Sequence, residues 1–209
     1  MTPRTRTAAA LLPLLTLLLV PGPLHAEECS AKTTIEAVYK ELQGIVTAAP
    51  DDDSMREAVK TVMMRFIDFE EFGKLSLGTQ WATLDATQRG IYLTEFKELL
   101  KRTYLRRFKR GEPFKVSYRS DCRMNSKGDR MEIQTMIQSA GDVEADVDYR
   151  FHKPGDTWLV YDIVVDEVSI MRNYRKSFIQ TLQKDGFDKL IEKMKKKKSD
   201  RDEDDGDKT

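Results

Sequence analysis

From residue 31 to Gly111 the apolar side chains recur every three to four positions, from Phe114 to Phe151 every second position, and from Ile170 every three to four again. A helix repeats every 3.6 residues and a strand every 2, so one chain cannot satisfy both patterns with a single kind of element. The order helix, sheet, helix is thereby set. The alternating segments follow one another through short turns, "NSKGD" at 125–129 and "HKPGDT" at 152–157, too brief for parallel crossovers. An α+β fold follows, with a helical layer packed on one face of a twisted antiparallel sheet of about four strands.

The helical stretches carry their own punctuation. Ile35, Val38, Leu42, Ile45 and Val46 make a stripe over 31–48, ended by "PDDDS". Ser54 with Glu57 reads as a capping box for a second helix to Phe66, and Asp68 with Glu71 as another ahead of a short helix closed near Gly78. Asp85 with Gln88 opens the longest helix, which puts Tyr92, Phe96, Leu99, Leu100 and Thr103 on one face and stops at Gly111. In the sheet, "FKVSYRSDCRM" turns Phe114, Val116, Tyr118, Cys122 and Met124 to one side. Met131, Ile133, Thr135 and Ile137 do the same, as do Val143, Ala145, Val147, Tyr149 and Phe151, with Glu144, Asp146, Asp148 and Arg150 toward water. Ile170, Tyr174, Phe178, Ile179 and Leu182 form a later helical face ended by Gly186, and a last helix starts near Phe187.

The two ends are set apart. Arg4 and Arg6, the uncharged run "TAAALLPLLTLLLV", "PGP" and Ala26 have the layout of a secretory leader over residues 1–26, too short and proline-broken for a good membrane span. The expected mature chain is exported and begins at Glu27, with its folded domain at 27–194. Residues 195–209, "KKKKSDRDEDDGDKT", contain no apolar side chain and are expected to be a disordered charged tail. Export also bears on Cys29 and Cys122, the chain's two cysteines, because a disulfide persists in an oxidising compartment. Sequence does not tell whether they are close enough to bridge.

Charge and motifs exclude more than they assign. The 35 basic and 35 acidic side chains balance, and export with overall neutrality argues against nucleic acid. "KELLKRTYLRRFKR" at 97–110 is locally basic. It suits a solvated helix end, an anionic membrane surface or an acidic partner. One histidine, His152, remains beyond the leader, and there is neither a G-x-S-x-G nor a phosphate-cradling glycine loop. No metal, cofactor or enzymatic activity is expected. The one carboxylate pair on a buried strand is Asp162 with Asp166 in "WLVYDIVVDEVSI", which leaves a small exported hydrolase or isomerase as an alternative. Phe66, Phe69, Phe72, Leu75, Leu77 and Trp81, with the inward sheet faces, are enough apolar surface to fill a dense core or to line a cavity.

Two long stretches resemble a known family. "DFEEFGKLSLGTQWATLDATQRGIYLTEFKELLKRTY" at 68–104 and "WLVYDIVVDEVSIMRNYRKSFIQTLQKDGFDKLIEKM" at 158–194 are similar to the MlaC proteins, periplasmic phospholipid carriers first described as toluene-tolerance auxiliary proteins. The likeness extends over about 32–194. It rests on G-x-x-W at 78–81, F-x-x-L-L-x-x-T-Y at 96–104, then V-Y-D, V-S and N-Y-R-x-x-F in order. There are two departures: Leu84-Asp85-Ala86-Thr87-Gln88 stands where the family tends to have Leu-Thr-Pro-Glu-Gln, and the two cysteines and the charged tail are not family hallmarks. The resemblance implies an apolar lipid cavity between helices and sheet, and a carrier that maintains outer-membrane lipid asymmetry. Its partners would be an outer-membrane lipoprotein complex and an inner-membrane ABC transporter of the MCE class, with membrane contact only through them. A hopanoid or other apolar lipid is the alternative cargo. The wall residues so implied, each on the inward face of its element, are Phe69, Phe72, Leu75, Trp81, Phe96, Leu100, Tyr104, Val147, Tyr149, Val160, Ile163 and Tyr174.

Overall fold

A computed structural model describes residues 29–119, 122–139 and 144–204, with the side chains of the last helix up to Lys196. The leader assigned to residues 1–26, Val143 and the end of the tail lie outside the described residues.

Helix α1 (Ser30–Ala48) buries Ala31, Ile35, Tyr39, Leu42 and Val46, one stripe at helical spacing. Helix α2 (Asp52–Phe66) is capped by Asp51, whose carboxylate accepts from the Ser54 amide at 2.7 Å. The expected Ser54 and Glu57 box does not form, because the helix starts earlier: Asp51 takes the cap and Ser54 becomes its third residue, whose amide Asp51 accepts. Helix α3 (Phe69–Leu77) is capped by Asp68 through the amides of Glu70 and Glu71. Glu71 leaves its own box to pair with Arg130 of the sheet at 3.2 Å. A 3-10 turn (Gly78–Thr83) leads to α4 (Ala86–Leu105), where Asp85 and Gln88 make the full reciprocal box. Helix α4 ends at Leu105, ahead of Gly111. Turns at 106–112 replace its last stretch, and the Gly111 amide donates to the carbonyl of Val46.

Among the described residues the sheet has six strands where about four were expected: β1 (Lys115–Tyr118), β2 (Arg123–Met124), β3 (Arg130–Gln138), β4 (Glu144–His152), β5 (Leu159–Val165) and β6 (Val168–Ser169). The surplus arises because the first segment is interrupted between Tyr118 and Arg123, and because Val168–Ser169 folds back on β5. All the strand pairings are antiparallel, in the order β1-β3-β4-β5-β6, with β2 beside β3. Between β4 and β5 the register shifts: Phe151 faces Val160 and Arg150 faces Asp162, leaving Tyr161 as the extra residue of a bulge. Val160, Ile163 and Val165 therefore share one sheet face despite their uneven spacing, opposite Phe151, Tyr149 and Val147.

Helices α5 (Ile170–Asp185) and α6 (Phe187–Asp204) complete the layer. Helix α5 stops at Gly186, whose φ of 84° is the left-handed backbone that glycine adopts freely. Helix α6 continues to Asp204, beyond Met194, where a disordered tail was expected from residue 195. Lysine and glutamate are good helix formers. Lys195 reaches Glu95 of α4 and Lys196 reaches Glu192 one turn back, so the helix carries on past its last apolar residue.

Two tethers fix the helical layer to the sheet. At the α2–α3 elbow the Asp68 amide donates to the carbonyl of Val160, while the Asp68 carboxylate meets His152 Nε2 at 2.9 Å. At the start of α1, Cys29 and Cys122 are joined as a disulfide with their Cα atoms 5.6 Å apart, and Trp158 Nε1 donates to Ser30 Oγ.

Candidate functional site: an apolar cavity with a charged rim

The aromatic residues of α3, α4 and α5 close on one another. Tyr92 and Phe96 stack with centroids 5.7 Å apart, Phe72, Tyr174 and Phe178 meet Phe96 edge-on, and Trp81 meets Tyr92. Gly73 permits this approach, since a Cβ there would lie 2.6 Å from a Leu93 methyl. This half of the molecule is a dense core.

The other half is not filled. Between α1, α2, the end of α4 and the sheet lies a cavity of about 450 Å³, within the range of small-ligand sites. Helix α1 supplies Ile35, Val38, Tyr39, Leu42 and Val46. Helix α2 and the elbow supply Val62, Met63, Phe66 and Ile67. Phe72, Leu100, Tyr104 and Ile170 come from the other helices, and Ile137, Ala145, Val147, Tyr149, Ile163 and Val165 from the sheet. The segment after α4 closes the ring with Arg107, Phe108, Lys109, Glu112 and Phe114, and Ser139 stands at the end of β3.

The wall is nearly free of polar groups, and the exceptions are satisfied. The hydroxyls of Tyr39 and Tyr149 lie 2.5 Å apart, and Thr135 Oγ1 donates to the carbonyl of Val147 beneath them. Burial pushes the Tyr149 phenol up to about 12, and burial together with Tyr149 pushes Tyr39 well above its usual value. Both phenols are therefore neutral around neutral pH, and away from Arg107, Lys109 and Glu112 the described lining offers hydrogen bonds and dispersion contacts but no charge.

Of the wall residues expected from sequence, Phe72, Leu100, Tyr104, Val147, Tyr149 and Ile163 line the cavity. Phe96 and Tyr174 belong to the aromatic core instead, as does Trp81, which packs on Tyr92 beneath the Arg89 guanidinium. Val160 is fully buried in β5, Phe69 lies under Lys97, and Leu75 packs at the core edge, its carbonyl held by Arg175. The α1 lining is absent from that set, and of the α2 lining the sequence offers only Phe66, as surface for a core or a cavity alike. The α1 signal is the stripe Ile35, Val38, Leu42 and Val46, which reads as a helix face.

The two strand carboxylates are structural. Asp162 is completely buried and accepts from Arg150 Nη1 at 2.9 Å, Ser169 Oγ at 2.7 Å and the Met171 amide at 3.0 Å. Ser169 in turn caps α5. Asp166 sits in the β5–β6 turn, where its carboxylate accepts from the Asp146 amide at 3.1 Å. Neither lines the cavity. Among the described residues no cluster of His, Cys, Asp or Glu is placed to hold a metal ion, and no helix is long and apolar enough to cross a membrane.

Comparison with known proteins agrees with this arrangement. The family model described as "MlaC protein" matches residues 32–196. The intermembrane phospholipid transport system binding protein MlaC of Haemophilus influenzae is 24% identical over 151 residues, 71% of each chain. A phospholipid-binding protein from Ralstonia solanacearum, solved in complex with a phospholipid, has the same fold. Its TM-score is 0.73 at 19% identity, over 81% of this chain and 97% of that one.

Proposed function

Because the chain belongs to the MlaC family, we propose that it is a non-enzymatic phospholipid carrier of the periplasm, exported by cleavage of residues 1–26 and folded as one lipid-binding domain over 27–194. It holds the acyl chains of a phospholipid in the cavity and passes the lipid between an outer-membrane lipoprotein complex and an inner-membrane MCE-type ABC transporter, so maintaining outer-membrane lipid asymmetry. The observation that carries this reading is the 450 Å³ apolar cavity held open between helices and sheet in a chain that packs its other half tightly.

The physical need is plain. Two acyl chains expose about thirty methylenes, at ~0.8 kcal/mol each roughly 25 kcal/mol gross, so unassisted passage through water is very slow. A carrier that shields the tails removes most of that barrier. Direction must come from the partners, since this sequence holds no nucleotide-binding loop.

Leu100 tests the reading. It is 2% exposed and faces the cavity. In Leu100→Trp the indole should enter the cavity, at least halving lipid taken up from phospholipid vesicles with little loss of stability. A stability loss of ~1–3 kcal/mol with uptake unchanged is the signature of an overpacked core and would sink the carrier assignment.

A further inference from the structure

The polarity of the cavity is one-sided. Of its described lining residues only Arg107, Lys109 and Glu112 carry charge, and all three belong to the single segment between α4 and β1. That segment is held in place by the bond from the Gly111 amide to the Val46 carbonyl and by the ion pair of Arg110 with Asp52 at 3.2 Å. Lys109 and Glu112 neutralise each other at 3.6 Å. Arg107 is exposed, stands 5.6 Å above the ring of the cavity-lining Tyr104, and has no carboxylate partner among the described residues. Among the described lining residues this leaves one net positive charge, on a planar guanidinium set against an aromatic ring.

We infer that Arg107 holds the phosphate of the bound lipid, so that the headgroup lies at the 107–112 segment and the tails run from there toward Ile67, Phe72 and Ile170. This rests on the phospholipid reading above and gives it a polarity. A guanidinium presents paired N–H donors matched to phosphate oxygens, and stacking on Tyr104 limits the side-chain freedom lost when the phosphate arrives. The opposite orientation leaves a phosphate among Val, Ile and Phe side chains, with nothing to replace its water. The basic stretch 97–110 thereby has a role besides that of a solvated helix end: one of its arginines stands at the cavity mouth.

The experiment offers delipidated protein vesicles of dioleoylphosphatidylglycerol containing a minor fraction of dioleoylglycerol, which has the same tails and no phosphate, and measures both lipids on the recovered protein. Wild type should favour the phospholipid. In Arg107→Gln that preference should fall about five- to tenfold while dioleoylglycerol is still bound, and Arg107→Lys should restore part of it. Glu112→Gln, which frees Lys109, should raise the preference. Retained dioleoylglycerol binding shows that the variants fold. If Arg107→Gln discriminates as wild type does, the phosphate seat is wrong while the carrier reading stands. Unchanged equilibrium preference with slower pickup from anionic vesicles also overturns the seat, and assigns Arg107 to the membrane surface. If wild type binds neither lipid, the carrier reading falls and this inference with it.

Discussion

Asp162 illustrates how a residue type underdetermines its role. In the sequence it is a carboxylate on an apolar strand, compatible with acid–base chemistry. In the fold both its oxygens are occupied, by Arg150, Ser169 and the Met171 amide, and it fastens α5 to β5. Asp162→Ala would leave Arg150, whose side chain is 23% exposed, with Glu132 as its carboxylate partner, and would leave Ser169 Oγ and the Met171 amide without their acceptor at the cap of α5. Breaking a buried pair costs ~3–5 kcal/mol when the remaining charge is left unpaired, and the second partner and partial exposure of Arg150 put the expected loss at the low end, ~3 kcal/mol in urea unfolding. Lipid bound per folded chain should be unchanged. Loss of lipid or of a turnover activity without loss of stability would return Asp162 to the list of functional groups.

At the scale of elements, periodicity and caps placed the helices well, because those signals are local. Asp85 and Gln88 needed nothing from the rest of the chain to form their box. What a stripe packs against is a tertiary fact. Phe96 and Leu100 are one turn apart on α4, yet Phe96 joins an aromatic core and Leu100 faces a void, depending on where α5 and α1 lie. Likewise the bulge at Tyr161, which keeps Ile163 and Val165 on the cavity side, is set by pairing with β4 and is invisible in β5 alone. The disulfide is the non-local feature most open to test. It links the start of α1 to the segment before β2 across a separation of 93 residues. Thiol titration of unreduced protein should find no free thiol. In the chain-entropy picture the double replacement Cys29→Ser, Cys122→Ser should cost ~4–5 kcal/mol, or less if the unfolded chain keeps structure. Two free thiols, or no change in stability on replacement, would remove the bridge from the account.

For the whole molecule the governing quantity is the match between void and cargo. At about 30 Å³ per methylene, near a water molecule's share of the liquid, 450 Å³ houses about fifteen of the roughly thirty methylenes in two tails. Two whole tails therefore need more room than this cavity gives. Leu42, Val46, Met55, Val59 and Val62 of α1 and α2 form a cluster of their own beside the main core, while Ile35, Tyr39, Phe66 and Ile67 of the same pair pack into that core. The most direct measurement is native mass spectrometry of the protein after gentle purification. The expected spectrum shows a chain beginning at Glu27 and carrying a mass increment of one phospholipid, which organic extraction removes. A bare chain that stays bare after incubation with phospholipid vesicles would contradict the account at its centre.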